Sequence, residues 1–107
     1  MLIFNKSTLV KFWIAYPDSK NYLEAWYKEA YKARWNNPHD VKEIYSHASI
    51  LKNSRIVFNI SGNKYRLIVQ SDFVRHWLLI RFIGTHAEYD KIDAETYDGI
   101  KTVKKQP

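Results

Sequence analysis

Arg55-Ile56-Val57-Phe58-Asn59-Ile60-Ser61-Gly62-Asn63-Lys64-Tyr65-Arg66-Leu67-Ile68-Val69-Gln70 is the stretch whose reading decides the fold. On both sides of Ser61-Gly62-Asn63 the apolar residues recur with a period of two, as in strands that bury one face. Gly62-Asn63 suits a two-residue hairpin turn, and such a turn fixes the register. Phe58 then lies opposite Leu67, Ile56 opposite Val69, and Ile60 opposite Tyr65. These apolar pairs are expected to pack against helices. Asn59 opposite Arg66, Ser61 opposite Lys64 and Arg55 opposite Gln70 make the other face, which is expected to be polar and cationic. Lys64 and Arg66 are expected to point the same way. One face of an antiparallel sheet is often merely solvated, so this face alone is not a site.

Working outward, Trp77 to Ile83 reads as a third long strand, with Asp72 to Arg75 as the turn before it. Arg81 interrupts its apolar run, and a charge there is costly unless it meets water or a partner. Leu78, Ile80 and Phe82 are expected on one face, and Arg81 on the other beside Arg66. Three cations on one sheet surface suit a phosphate backbone, since Arg grips phosphate oxygens bidentately and Lys acts as a point charge.

Upstream the period is helical. Leu2-Ile3-Phe4 reads as a short edge strand, and Asn5 offers a cap. Leu9, Phe12, Trp13 and Tyr16 form one stripe that Pro17 stops. Asp18 or Ser19 caps a second helix with the stripe Leu23, Trp26, Tyr27, Ala30 and Arg34, broken at Asn36-Asn37-Pro38. Asp40 and Glu43 resemble a capping box starting a short third helix with Val41, Ile44 and Tyr45. Residues 46–54 read as a polar connection. Thr85 and Glu88 form a second capping-box pattern, for a terminal helix carrying Tyr89 and Ile92 that Gly99 ends. The whole is α+β: an antiparallel sheet of about four strands, N-terminal helices on one face and a short C-terminal helix.

The 107 residues suit a single domain, 1–107, with 100–107 a flexible basic tail. The absence of cysteine excludes a disulfide scaffold, a thiolate metal site and a cysteine nucleophile. Neither a signal peptide nor a membrane-length apolar run is visible, so the reading is a cytoplasmic protein with no membrane partner. The net charge of +6 favours a polyanionic partner, although Lys101, Lys104 and Lys105 in the tail carry part of the excess.

Gly84-Thr85-His86-Ala87-Glu88-Tyr89-Asp90-Lys91 comes after the third long strand. On a helix starting near Thr85, His86, Tyr89 and Asp90 share a face. His and Tyr exchange protons, and Asp orients a His. Tyr89 read as a core aromatic and His86 as an ordinary first-turn residue fit the same spacing. His86 with Asp90 supplies two metal donors, but His39, His47 and His76 lie scattered and no third ligand has suitable spacing.

Val57 to Leu67 and Ile80 to Ile92 together resemble the signature segments of HigB toxins, of the RelE/ParE superfamily. Ala25-Trp26-Tyr27 and Trp35 through Val41 are also similar, so the likeness covers the chain to about Ala94. The resemblance implies a RelE-like fold and a type II toxin–antitoxin system. It implies cleavage of mRNA, commonly on the ribosome, with no metal or other cofactor. It implies a HigA-like helix-turn-helix antitoxin and operator DNA bound through that antitoxin. It carries over best to Arg66, His86, Tyr89 and Asp90 as catalytic residues. Lys64, Arg81, Asn59 and Lys91 are then candidate RNA contacts. A gyrase-poisoning ParE-like toxin and a non-catalytic RNA- or ribosome-binding module are the rival readings.

Overall fold

A computed structural model describes residues 1–98. Gly99 and the basic tail at 100–107 lie outside the described residues, but the terminal helix expected to carry Ile92 and run to Gly99 already ends at Tyr89. The elements run β1 (Leu2–Phe4), α1 (Lys6–Ala15), a short 3-10 turn (Pro17–Ser19), α2 (Lys20–Lys32), α3 (Pro38–Ile44), β2 (Ser49–Ile50), β3 (Arg55–Ile60), β4 (Tyr65–Asp72), β5 (Trp77–Thr85) and α4 (His86–Tyr89). This is the expected α+β architecture, with N-terminal helices and a short C-terminal helix.

The sheet has five strands in the order β1-β5-β4-β3-β2. It is mixed, not purely antiparallel, because β1 pairs with β5 in parallel. Helix α1 carries the chain from β1 onto the helix layer, so β1 enters the sheet edge without a hairpin. The segment read as a polar connection holds the extra strand, Ser49-Ile50, paired with Val57 and Ile56.

The β3–β4 register is the expected one, from Arg55–Gln70 through Ile60–Tyr65. In the turn, positive φ falls on Ser61 and Gly62, not on Asn63. Ile56, Phe58, Ile60, Tyr65, Leu67 and Val69 are buried in the main core with Leu9, Leu23, Trp26, Trp35 and Val41. Phe58 sits edge-on to Trp26 and Tyr45, with ring centroids at 5.3 and 5.1 Å. Each such buried side chain contributes about 1.5–3 kcal/mol, so this face of the hairpin anchors the fold.

Three helix starts differ from expectation. Asn5 makes no side-chain cap; it is left-handed, and its Nδ2 donates to the Ile80 carbonyl at 3.4 Å. Neither Asp18 nor Ser19 caps α2 with its side chain, because Ser19 donates to the Tyr16 carbonyl and Asp18 turns to the hairpin. Helix α3 starts earlier than Asp40: Asn37 accepts from the Asp40 amide, and Pro38 occupies the first turn, where a missing N–H costs nothing. Arg34 falls beyond the end of α2 and is exposed.

Candidate active site at the start of the terminal helix

Between β4 and β5 the pairing slips. Ile68 faces Phe82 while Val69 faces Ile80, which leaves Arg81 as an extra residue in β5. A bulge of this kind sets two residues against one, so two consecutive side chains share a side of the sheet. Arg81 does lie on the face away from the helices, where its Nε and Nη2 donate to Gln70 Oε1 at 3.0 and 2.7 Å. Phe82 joins it there, opposite Ile68, and does not continue the alternation of Leu78 and Ile80.

The far face is therefore not uniformly polar. Val57, Ile68 and Ala94 form a second small core with Leu51, Phe82, Tyr89 and Ile92 packed on it. Val57 and Ile68 are directly opposed in the hairpin, and this pair puts an apolar centre in the expected cationic surface. Asn59 and Arg66 lie at the turn end of that centre; Arg55, Gln70 and Arg81 lie at the other.

Lys64 does not point with Arg66. Its Nζ pairs with Asp18 on the helix side, and Tyr65 Oη donates to the other Asp18 oxygen at 2.7 Å. Hydrogen bonds from Lys64 and Tyr65 hold the Asp18 carboxyl below the usual carboxylate range, and the same carboxylate pushes Lys64 and Tyr65 up. This partnership joins residues 46 positions apart, so neither local sequence contains its signal.

The structure brings Arg66 and α4 together. Arg66 is paired with Gly84, and Tyr65 with Thr85, so β4 delivers Arg66 to the start of the helix. Thr85 and Glu88 form the expected reciprocal capping box, with bonds of 3.1 and 2.9 Å. Gly84 permits this closure: a Cβ there would meet Phe82 Cζ at 2.5 Å and Glu88 Oε1 at 2.7 Å. Sequence reasoning assigns Gly84 no role, although a glycine directly before the cap is the available signal.

The Arg66 guanidinium lies 5.8 Å from the Tyr89 ring centroid, and its Nη1 donates to the Asn63 carbonyl at 3.0 Å. Tyr89 rests in turn against Phe82, with centroids 6.4 Å apart. Its hydroxyl has no hydrogen-bond partner among the described residues. His86 Nδ1 and Asp90 Oδ2 are 3.2 Å apart, with both side chains more than half exposed. A carboxylate only accepts, so Nδ1 carries the proton in this pair and Nε2 is left to exchange one. Arg66, His86, Tyr89 and Asp90 therefore gather at one end of the sheet. A guanidinium, a free phenol and an oriented imidazole can between them stabilise charge and move protons.

Arg81 and Lys91 share a different place. With Asn5, Thr8, Phe82 and Tyr97 they line a cavity of about 680 Å³, and Glu88 borders it. Asn59 instead borders a smaller hollow of about 480 Å³ with His47 and Phe58. Among the described residues no three His, Asp or Glu side chains are grouped to hold a metal ion. No helix among them is long and apolar enough to cross a membrane.

A family model described as HigB_toxin, the RelE-like toxic component of a toxin–antitoxin system, matches residues 19–92. The match contains every expected site residue and stops short of β1, α1 and Asp18. The mRNA interferase HigB of Escherichia coli O6:H1 is similar, with 27% identity over 79 residues, 72% of this chain and 77% of that protein. The chain belongs to the HigB toxin family, the RelE-like toxic components of toxin–antitoxin systems.

Proposed function

We propose that this toxin is a metal-independent endoribonuclease that cuts mRNA held on the ribosome, in the cytoplasm. One observation carries the reading: Arg66 rests on Tyr89 at the start of the helix that also holds the His86–Asp90 pair. The name of the similar protein, an mRNA interferase, supports the same substrate. RNA brings its own nucleophile. The 2′-hydroxyl loses a proton and attacks phosphorus; the P–O5′ bond then breaks, and the 5′-oxygen takes a proton. The products are a 2′,3′-cyclic phosphate and a 5′-hydroxyl.

In this scheme Arg66 meets the charge that builds on the phosphorane oxygens. His86 Nε2 and the Tyr89 hydroxyl are the two proton-exchanging atoms, and Asp90 orients His86 through Nδ1. Arg81, Lys91 and Asn59 serve bound RNA farther along, with Lys64 available once a phosphate displaces Asp18. The antitoxin partner is HigA-like, with a helix-turn-helix through which the complex holds operator DNA.

The test is cleavage of a defined mRNA by the purified protein, with and without ribosomes and with a chelator present. Arg66→Ala should lower the rate about 10²–10³-fold, and His86→Ala about 10²–10⁴-fold. Chelation should change nothing. Undiminished cleavage by both variants would sink the site. Altered DNA supercoiling without RNA cleavage would move the activity to gyrase, and salt-sensitive RNA binding without cuts would leave a binding module.

A further inference from the structure

The segment after α4 lies across the far face of the sheet, and polar side chains from that face hold it by its backbone. Arg55 Nη1 donates to the Ala94 carbonyl at 3.4 Å and also to the Tyr97 carbonyl. Arg81 Nη1 donates to the Asp98 carbonyl at 3.3 Å, and Asn53 Nδ2 to the Glu95 carbonyl at 3.0 Å. Ile92 and Ala94 add apolar contact with Val57 and Ile68.

Arg55 is the unusual member of this set. It is only 5% exposed, and its Nε has no hydrogen-bond partner among the described residues. Burial, then the nearby Arg81 charge, lowers its pKa, partly offset by Asp98 and Asp93. A buried guanidinium answered mainly by neutral carbonyls is an expensive way to cover a sheet, since apolar residues would cover it without the desolvation cost. The one nitrogen Nη1, with two N–H groups, reaches both carbonyls at once.

Helix α4 needs such a grip. It is four residues long, too short to stand alone, and its side-chain cap is at the N-terminus, the C-terminus being closed by the Asp90 amide. Beyond it the chain is held locally by single-turn bonds, among them the Lys91 amide to Glu88, the Ile92 amide to Tyr89 and the Tyr97 amide to Asp93, none of which ties it to the sheet.

We infer that Arg55 is a positioning residue for the active site, clamping residues 94–97 so that α4 presents His86, Tyr89 and Asp90 to Arg66 in one geometry. The inference rests on the nuclease reading. Arg55 makes no contact with RNA in it. Asn53 assists from the β2–β3 turn, and the clamp reads backbone, not side chains.

Two variants test it. Arg55→Gln keeps a donor and removes the buried charge. Asn53→Gly removes the Glu95 bond at an exposed position whose φ of 61° glycine accepts without strain. Misplacement of about 1 Å is worth about 10²-fold in rate. Arg55→Gln should therefore lower kcat by about 10–100-fold with KM within about twofold. Asn53→Gly should lower kcat less, in the same sense. Amide exchange should quicken at Asp90, Ile92 and Tyr97 while the β3 and β4 amides keep their protection. The log–log salt slope for RNA binding should stay at the wild-type value.

Unchanged kcat and unchanged exchange in both variants would overturn the clamp. So would exchange that quickens across the whole molecule with kcat tracking only the folded fraction. A slope flatter by about 0.7 in Arg55→Gln would make Arg55 a phosphate contact and overturn the assignment as well. If the wild-type protein cut no RNA, the nuclease reading would fail; the exchange data alone would then support or overturn the clamp.

Discussion

Tyr89 touches the site in two ways that a pair of substitutions separates. Its ring is a platform for the Arg66 guanidinium at 5.8 Å and is backed by Phe82. Its hydroxyl is unengaged among the described residues, free to meet a substrate oxygen. Tyr89→Phe keeps the platform and deletes the hydroxyl, whereas Tyr89→Leu deletes both. A cation over an exposed ring is worth about 0.5–1 kcal/mol, so losing the platform should cost about 2–5-fold. Losing a proton-transfer group should cost about 10²–10⁴-fold. Tyr89→Phe is therefore expected to take nearly the whole loss, and Tyr89→Leu only about 2–5-fold more. Single-turnover cleavage of an mRNA programmed into ribosomes reads both values, with KM measured separately. Wild-type kcat in Tyr89→Phe, with all the loss confined to Tyr89→Leu, would refute the assignment of a proton to Tyr89. It would reduce the residue to a support for Arg66.

Asp90→Asn should lower cleavage by less than about tenfold, because an ion pair this exposed gains little from its charge and Asn can still accept from His86 Nδ1; the rate as a function of pH checks it. Asp18→Asn should free Lys64 from its partner, tighten RNA binding and steepen the log–log salt slope by about 0.7 for single-stranded RNA, read by fluorescence titration at several salt concentrations. The same pair carries a pH signature. Asp18 is lowered in the folded protein, so its stabilisation is complete above the ordinary value near about 3.9 and disappears as pH falls through the lowered folded value. The stability gap between wild type and Asp18→Asn should accordingly close in strongly acidic solution. Phe58→Ala should cost about 3–5 kcal/mol in denaturant unfolding, since Phe58 is 1% exposed and wedged between Trp26 and Tyr45.

Features were legible in the sequence to the extent that their causes are local. The β3–β4 register rests on one short turn, and the Thr85–Glu88 box spans three residues, so both were visible in the chain. The bulge was not, because only the pairing of β4 with β5 exposes Arg81 as the residue without a partner. It is supported from far away: Asn5 donates to the carbonyl of Ile80, the residue just before it. Strict alternation put Arg81 on the far face and Phe82 on the helix face; the bulge keeps the first and reverses the second. Phe82 therefore backs Tyr89, and Tyr89 supports Arg66.

The expected single cationic surface divides for the same kind of reason. A face that looks polar when Asn59, Arg66, Arg55 and Gln70 are counted has Val57 and Ile68 at its middle, and the chain after α4 covers them. Arg66 is left at the turn end, beside α4. Arg55 and Arg81 are left at the other end, where Arg55 donates to backbone carbonyls and Arg81 chiefly to Gln70 Oε1. In the proposed reading Arg66 meets a phosphate, whereas the buried Arg55 holds the chain after α4. A count of cations on one face could not separate these two uses; the partners of each guanidinium do.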